Sequence, residues 1–405
     1  MKKVSITDLS ADQLRGKRVF VRVDFNVPLK DGQISDDMRI LAALPTVTYL
    51  ISCGAKIILA SHLGRPDGEV KAKLRLDPVA QRLSTLLGKP VVKTLDCIGE
   101  EVSNTVSTMR DGDVVLLENV RFHKGEETNA PEFVAALAKN ADIFVQEAFG
   151  TAHRSHASTV GVGQRLPAYA GILVQKEIDF LHGAVHDPKR PFVAIVGGAK
   201  VSSKITVLKN LLKVADEVII GGGMTFTFLK AQGYEIGTSL CEDDQIKAAL
   251  SFLTEAKASG KKVHFAIDEV VTSEFPKNDT QADDLEVQVV TCSLMPKGWM
   301  GVDIGPQTIT LFQEVIASAR TVLWNGPMGV FERARFAQGT HAIGDALVAL
   351  TEKGGIAIVG GGDSAAALEQ MGLADKVSHV STGGGASLEF LENPNLPGIR
   401  ILQDR

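Results

Sequence analysis

The sequence predicts an α/β protein of two doubly wound domains, each built on a mostly parallel sheet. Three observations carry this. First, β-branched apolar runs alternate with helix-compatible stretches along the whole chain. Second, the chain has 405 residues, 44% hydrophobic and 22% charged, more than the roughly 250 to 300 residues one core fills, so two cores are expected. Third, 14 of the 39 glycines precede Asp187 and 25 follow it, so the halves end their strands in different chemistry.

In the first half, strands are expected at 19–23, 56–60, 114–117 and 143–145, with helices at 76–87 and 131–139. The second half repeats the plan with strands at 192–196, 217–220, 263–267, 321–324, 356–359 and 377–380. Between them, QKEIDFLHGAVH carries Ile178, Leu181 and Val185 at helical spacing and is stopped by Pro188 and Pro191, which suits a connector. The expected divisions are a first domain over 1–174, a connecting helix over 175–187 and a second domain over 188–390. In the tail, Pro394 and Pro397 speak against a regular helix.

Composition narrows the function classes. A formal charge of −5 and 5% aromatic content disfavour a nucleic-acid binder. No run approaches the ~20 apolar residues of a membrane span, and MKKVSITDLS lacks a secretory signal's apolar region, so a soluble, cytoplasmic protein is expected. Cys53, Cys97, Cys241 and Cys292 are scattered without metal-site or disulfide-framework spacing.

Ligands of open α/β sheets bind outside the carboxyl ends of the strands. In the first half those ends carry Arg22, Asp24 and Asn26 in VRVDFNVP, His62 and Arg65 in SHLGRP, Arg121 in ENVRF, and His153, Arg154 and His156 in AFGTAHRSH. Arg39 stands at the start of a helical stretch that Pro45 should kink or restart. Any one of these alone reads as a solvated charge. Four successive strand ends offering Arg or His read as an anion cup, because clustered guanidinium groups repel without an anion between them. A small substrate bearing phosphate and carboxylate would fit, with Asp24 and Asn26 holding a hydroxyl. His153 and His156 lack the partner set of a metal site.

In the second half, GGAKVSSKI reads as a strand, a glycine turn and a helix opening. Lys200 and Lys204, four apart, are expected on one side of the first helical turn, with Val201, Ile205, Leu208 and Leu212 as the buried stripe. Glycine clusters follow strands at 221–223, 360–362 and 383–385, joined by Gly326 and Gly329 in WNGPMGVFE. Such turns let backbone N–H groups cradle phosphates. Asp363 reads as a Mg²⁺ partner or, alternatively, a helix N-cap, and Glu332 as a ribose ligand. The segment is not a P-loop, and no dinucleotide fingerprint with its acidic partner is present.

These motifs, in this order over essentially the whole chain, resemble phosphoglycerate kinase. The resemblance implies transfer of a phosphoryl group between 1,3-bisphosphoglycerate with ADP and 3-phosphoglycerate with ATP. It implies a hinge helix between the domains, with the 391–405 tail returning to the first. It places 3-phosphoglycerate on Asp24, Asn26, Arg39, His62, Arg65, Arg121 and Arg154. It places the nucleotide on Gly198, Ala199, Lys200, Lys204, Gly223, Gly301, Asn325, Glu332, Gly361, Gly362, Asp363 and Ser364, with Mg²⁺ on Asp363. Ser364 stands where the family often has Thr, and Glu147 where it often has Asp. Arg39, Lys200 and the helix start at Gly384 are expected to neutralise the transferring group. A monomer acting on small molecules is expected, with no nucleic-acid or membrane partner. The rivals are a nicotinamide dehydrogenase, which needs the missing fingerprint, and a non-catalytic anion-binding module, which needs net positive charge.

Overall fold

The computed structural model describes residues 2–405. Two compact units divide the chain, one running through Asp179 and regaining Asn393–Arg405, the other Phe180–Glu392.

The first unit holds a six-stranded parallel sheet: β1 Arg18–Arg22, β2 Lys56–Ala60, β3 Val91–Lys93, β4 Val114–Leu116, β5 Ile143–Gln146 and β6 Ala168–Ala170. Their order is β3-β4-β2-β1-β5-β6. The four strands expected from the sequence are its four central ones. Being covered on both faces, they are apolar runs, and Val19, Val21, Ile57, Leu59, Val114 and Val145 all enter one core. The edge strands β3 and β6 were not expected, being three residues long each. The helix Met38–Ser52 runs through Pro45, which neither ends nor restarts it.

The carboxyl tail pairs with the amino-terminal segment inside this unit. Val4 N donates to Gln403 O at 2.9 Å, and Lys3 Nζ lies 2.7 Å from Asp404 Oδ1. The expectation of no helix there is corrected for one turn, Pro397–Arg400. Pro397 occupies its first position, where the missing N–H costs nothing.

The second unit repeats the plan with β7 Phe192–Val196, β8 Glu217–Ile220, β9 Lys262–His264, β13 Thr321–Asn325, β14 Ile356–Gly360 and β15 His379–Val380, ordered β9-β8-β7-β13-β14-β15. The two doubly wound sheets are therefore present. An antiparallel sheet of β10 Asp268–Thr272, β11 Val287–Thr291 and β12 Met300–Ile304, in the order β11-β10-β12, was not expected. The helix Ile172–His186 contains the point at which the two units divide.

Candidate active site

The cup of the first unit forms because β4, β2, β1 and β5 are parallel neighbours whose carboxyl ends share one sheet edge. Past β1, Asp24 Oδ1 accepts from Asn26 N at 3.2 Å, and Asn26 Oδ1 accepts from Gly64 N at 2.8 Å. The turns after β1 and β2 are thereby tied together. Arg39 Nη1 reaches back to Asp24 Oδ2 at 3.1 Å and Asn26 O at 3.2 Å. Asn119 ties the next turn: its Oδ1 accepts from Leu63 N and Arg121 N, and its Nδ2 donates to Leu63 O. Arg121 is buried, donates from Nη1 to Gly64 O at 2.9 Å, and has Nε 3.2 Å from Glu127 Oε1.

His62 marks the centre of this field. It is buried beside Asp24, with Nδ1 3.8 Å from Oδ1. Burial, followed by the charges of Arg22, Arg121, Arg39 and Arg154, drives its pKa well below the ordinary value. His156 feels three of the same arginines and falls to about 4, through burial first, then Arg121, Arg22, Arg154 and His153. Such concentrated positive charge, with a neutral imidazole on its floor, suits a small anion.

Arg22 supports the cup from beneath. It is 1% exposed, donates to Ser158 Oγ at 2.6 Å and to Val23 O, and Ser158 Oγ donates to Glu126 Oε1 at 2.6 Å. Its alternation with Asp24 and Asn26 was visible in the sequence; its burial was not. Arg65 and Arg154 differ from Arg22, Arg39 and Arg121: neither side chain forms a hydrogen bond or ion pair among the described residues, Arg65 being exposed and Arg154 half-buried.

In the second unit, glycine turns follow five of the six parallel strands. Gly198, Gly222, Gly326, Gly361 and Gly384 have φ of 111°, 70°, 97°, 90° and 52°, a region costly for residues with a Cβ. Lys204 Nζ donates to Asn325 Oδ1 at 2.5 Å, while Asn325 Nδ2 is buried with no partner among the described residues. Ser364 Oγ accepts from Gly326 N at 2.6 Å, joining the turns after β13 and β14. Burial lowers the Lys204 pKa to about 8, against the opposing charge of Asp363. A buried ammonium and an orphaned amide donor among open backbone turns fit a phosphate chain.

Two expectations are corrected here. Lys200 and Lys204 do not share a first helical turn, because the helix is Ile205–Val214 and 201–204 form a turn before it. Side-chain bonds compete with the helix: Ser202 N and Oγ both donate to Glu242, and Ser203 Oγ donates to Lys200 O. The buried stripe is accordingly Val207, Leu208, Leu211 and Leu212; Val201 is buried outside the helix and Ile205 only half-buried. Second, Asp363 is not an N-cap. Gly361 holds that position in the helix Gly362–Gln370 without a side-chain bond, which leaves the exposed Asp363 carboxylate free for other work.

A cavity of about 410 Å³ opens beside these turns, lined by Gly198, Ala199, Gly223, Gly301, Glu332 and Asp363 together with apolar side chains. Gly301 is required there, since a Cβ would lie 2.1 Å from Phe226 Cζ. Lys200 is exposed, and Gly384 immediately precedes the helix Gly385–Glu392.

A family model described as phosphoglycerate kinase matches residues 6–394. The chain belongs to the phosphoglycerate kinase family. It is 55% identical over 405 residues to the phosphoglycerate kinase of Dictyoglomus turgidum, covering 100% of both chains. It is also 55% identical to the chloroplastic phosphoglycerate kinase of Volvox carteri, covering 100% of this chain and 87% of that one. The solved structure of phosphoglycerate kinase from Coxiella burnetii superposes with a TM-score of 0.87 at 41% identity, covering 98% of each chain. The activity is phosphoglycerate kinase activity, a step of glycolysis. Among the described residues no helix is long and apolar enough to cross a membrane.

Proposed function

We propose that the guanidinium cup binds 3-phosphoglycerate through Asp24, Asn26, Arg39, His62, Arg65, Arg121 and Arg154, and that the glycine cradle binds ADP or ATP. The observation that most supports this is the set of hydrogen bonds that ties Arg39 to Asp24 and Asn26, and Asn26 and Arg121 to Gly64, beside the buried His62. Asp24 and Asn26 hold the hydroxyl, and the arginines hold the carboxylate and phosphate. In the cradle, Lys204, Asn325 and the turns at Gly198, Gly223, Gly361 and Gly362 hold the phosphate chain, and Glu332 the ribose. The free Asp363 carboxylate is the residue that would hold Mg²⁺, which when bound neutralises phosphate charge.

Phosphoryl transfer depends on positioning and charge stabilisation. The acceptor carboxylate of 3-phosphoglycerate is already ionised at about pH 7, so no general base is needed. Arg39, Lys200 and the helix start at Gly384 neutralise the transferring group. Because the two ligands are assigned to different compact units, transfer requires a closing motion, placed at the helix Ile172–His186.

A coupled assay should show ATP consumption only with 3-phosphoglycerate present. Arg39→Ala should lower turnover by about 10²-fold or more, with a smaller effect on substrate affinity. An equal loss in affinity at unchanged turnover would refute the role given to Arg39.

A further inference from the structure

Three buried acids, Asp268, Glu269 and Asp303, lie close together in the second unit; Glu269 and Asp303 line its cavity, and Asp268 and Asp303 have structural work. Asp268 caps the helix Pro306–Ser318, accepting from Thr308 N at 2.7 Å, Thr308 Oγ1 at 2.6 Å and Gln307 N at 3.1 Å. Asp303 accepts from Ile304 N at 2.9 Å and Gly339 N at 2.8 Å, in space kept open because Gly329 and Gly339 have no side chain. The third, Glu269, is 3% exposed, and its carboxyl forms no hydrogen bond or ion pair among the described residues. It lines the cavity, whose other walls include Phe226, Leu240, Phe275, Met300 and Met328.

A carboxyl on a cavity wall without a protein partner can take its hydrogen bonds from a ligand. We propose that Glu269 is a base-binding residue, its carboxyl hydrogen-bonding the edge of the adenine of a bound nucleotide. This rests on the cradle being the nucleotide site. The rest of the cavity supports a base over other parts of the ligand. Its apolar walls suit a planar ring better than a phosphate chain, and Glu332 is assigned to the ribose. Burial, then the charges of Asp303 and Asp268, pushes the Glu269 pKa well above the ordinary carboxyl range. A carboxyl that keeps its proton offers a donor and an acceptor side by side. Adenine's 6-amino group and adjacent ring nitrogen offer the complement.

The test is titration calorimetry of wild type, Glu269→Gln and Glu269→Leu with ADP and with purine riboside diphosphate, which lacks the 6-amino group. Wild type should bind ADP roughly ten-fold more tightly than the analogue. Glu269→Leu should weaken ADP binding about ten-fold and abolish the difference between the ligands, while Glu269→Gln keeps wild-type discrimination. A Glu269→Leu protein that is folded by circular dichroism and still prefers ADP by the wild-type ratio overturns the proposal. Lys204→Ala, measured alongside, separates the two readings. If it weakens both ligands while Glu269→Leu changes nothing, only the base contact fails. If Lys204→Ala leaves both affinities intact, the nucleotide site itself is misplaced and this inference falls with it.

Discussion

Lys204 Nζ and Asn325 Oδ1 lie 2.5 Å apart, and the same amide's Nδ2 is left without a partner. Asn325 thus holds a lysine with one end and keeps a buried donor in reserve with the other. Both groups offer N–H donors and neither carries negative charge, an arrangement that an anion would complete.

That pairing predicts a pH limit on nucleotide binding. Burial lowers the Lys204 pKa to about 8, and a phosphate beside it would raise that value. Binding linked to this lysine is at full strength below about pH 8 and weakens as the pH climbs past it. ADP dissociation constants measured across this range should rise with pH for wild type. They should stay nearly level for Lys204→Arg, whose guanidinium keeps its charge. A wild-type profile that is flat to about pH 9.5 would contradict the role of Lys204.

His156 predicts a proton signature for the other ligand. Burial and the surrounding arginines hold its pKa at about 4, so it is neutral in the free protein above that pH. The group therefore stabilises the fold above its ordinary value of 6.5, and that contribution is lost as pH falls toward 4. An anion in the cup offsets the arginine charges and raises the pKa. The ligand's own phosphate, with a second pKa of about 6, releases protons as the arginines bind it, so the signature is a difference: calorimetry of 3-phosphoglycerate binding at about pH 5 should show wild type taking up more protons than His156→Gln, read from how the enthalpy changes with buffer ionisation heat. The same buffer dependence in both proteins would show that the ligand does not meet this field.

The sequence was most informative where one signal had one structural solution. The central strands of both sheets are unbroken β-branched runs because they are covered on both faces, and such runs have little alternative. The arginine-bearing strand ends followed from parallel order alone. The edge strands Val91–Lys93 and Ala168–Ala170 were silent because three residues show no period. The strand Val287–Thr291 was silent because its polar Gln288 and Thr291 are exposed and it makes no continuous apolar run. Arg22 and Arg65 look alike as residues after an apolar run, yet one is buried on Ser158 and the other exposed. That difference lies in a partner 136 positions away. Glu269 carries no signal of its burial for the same reason: the helix Pro306–Ser318 that claims neighbouring Asp268 lies some forty positions further along the chain.

Glu147 predicts how stability varies with pH in the first unit. It is buried, its Oε1 accepts from Leu173 N at 3.2 Å, and burial pushes its pKa up to about 8. The folded state therefore holds this proton more tightly than the unfolded chain, whose carboxyl titrates near 4.5. The contribution is complete below about pH 4.5 and is lost progressively as pH rises to about 8. Glu147→Gln keeps the shape without the titration, so its melting temperature should decline less than wild type's over that interval. Glu147→Ala leaves the helix start at Leu173 without its acceptor and should cost about 2 to 4 kcal/mol in denaturant titrations. Parallel pH profiles for wild type and Glu147→Gln would refute this assignment.

Two adjacent glycines separate backbone strain from ligand approach in the cradle. Gly361 has a φ of 90°, and a Cβ there would sit 2.9 Å from Asn325 Nδ2, so Gly361→Ala strains the turn and displaces the amide. A stability loss of about 1 to 3 kcal/mol should accompany weakened ADP binding. Gly362 opens the helix, and a Cβ built on it meets nothing within 4 Å. Gly362→Ala should therefore leave the melting temperature unchanged or slightly raised, since alanine favours the helix. If a phosphate packs against this helix start, the added methyl takes the space the ligand needs, and ADP affinity should fall about ten-fold or more in a fully stable protein. Wild-type ADP affinity in Gly362→Ala would place the phosphate chain elsewhere, because no distortion of the protein could account for a result in which nothing has moved.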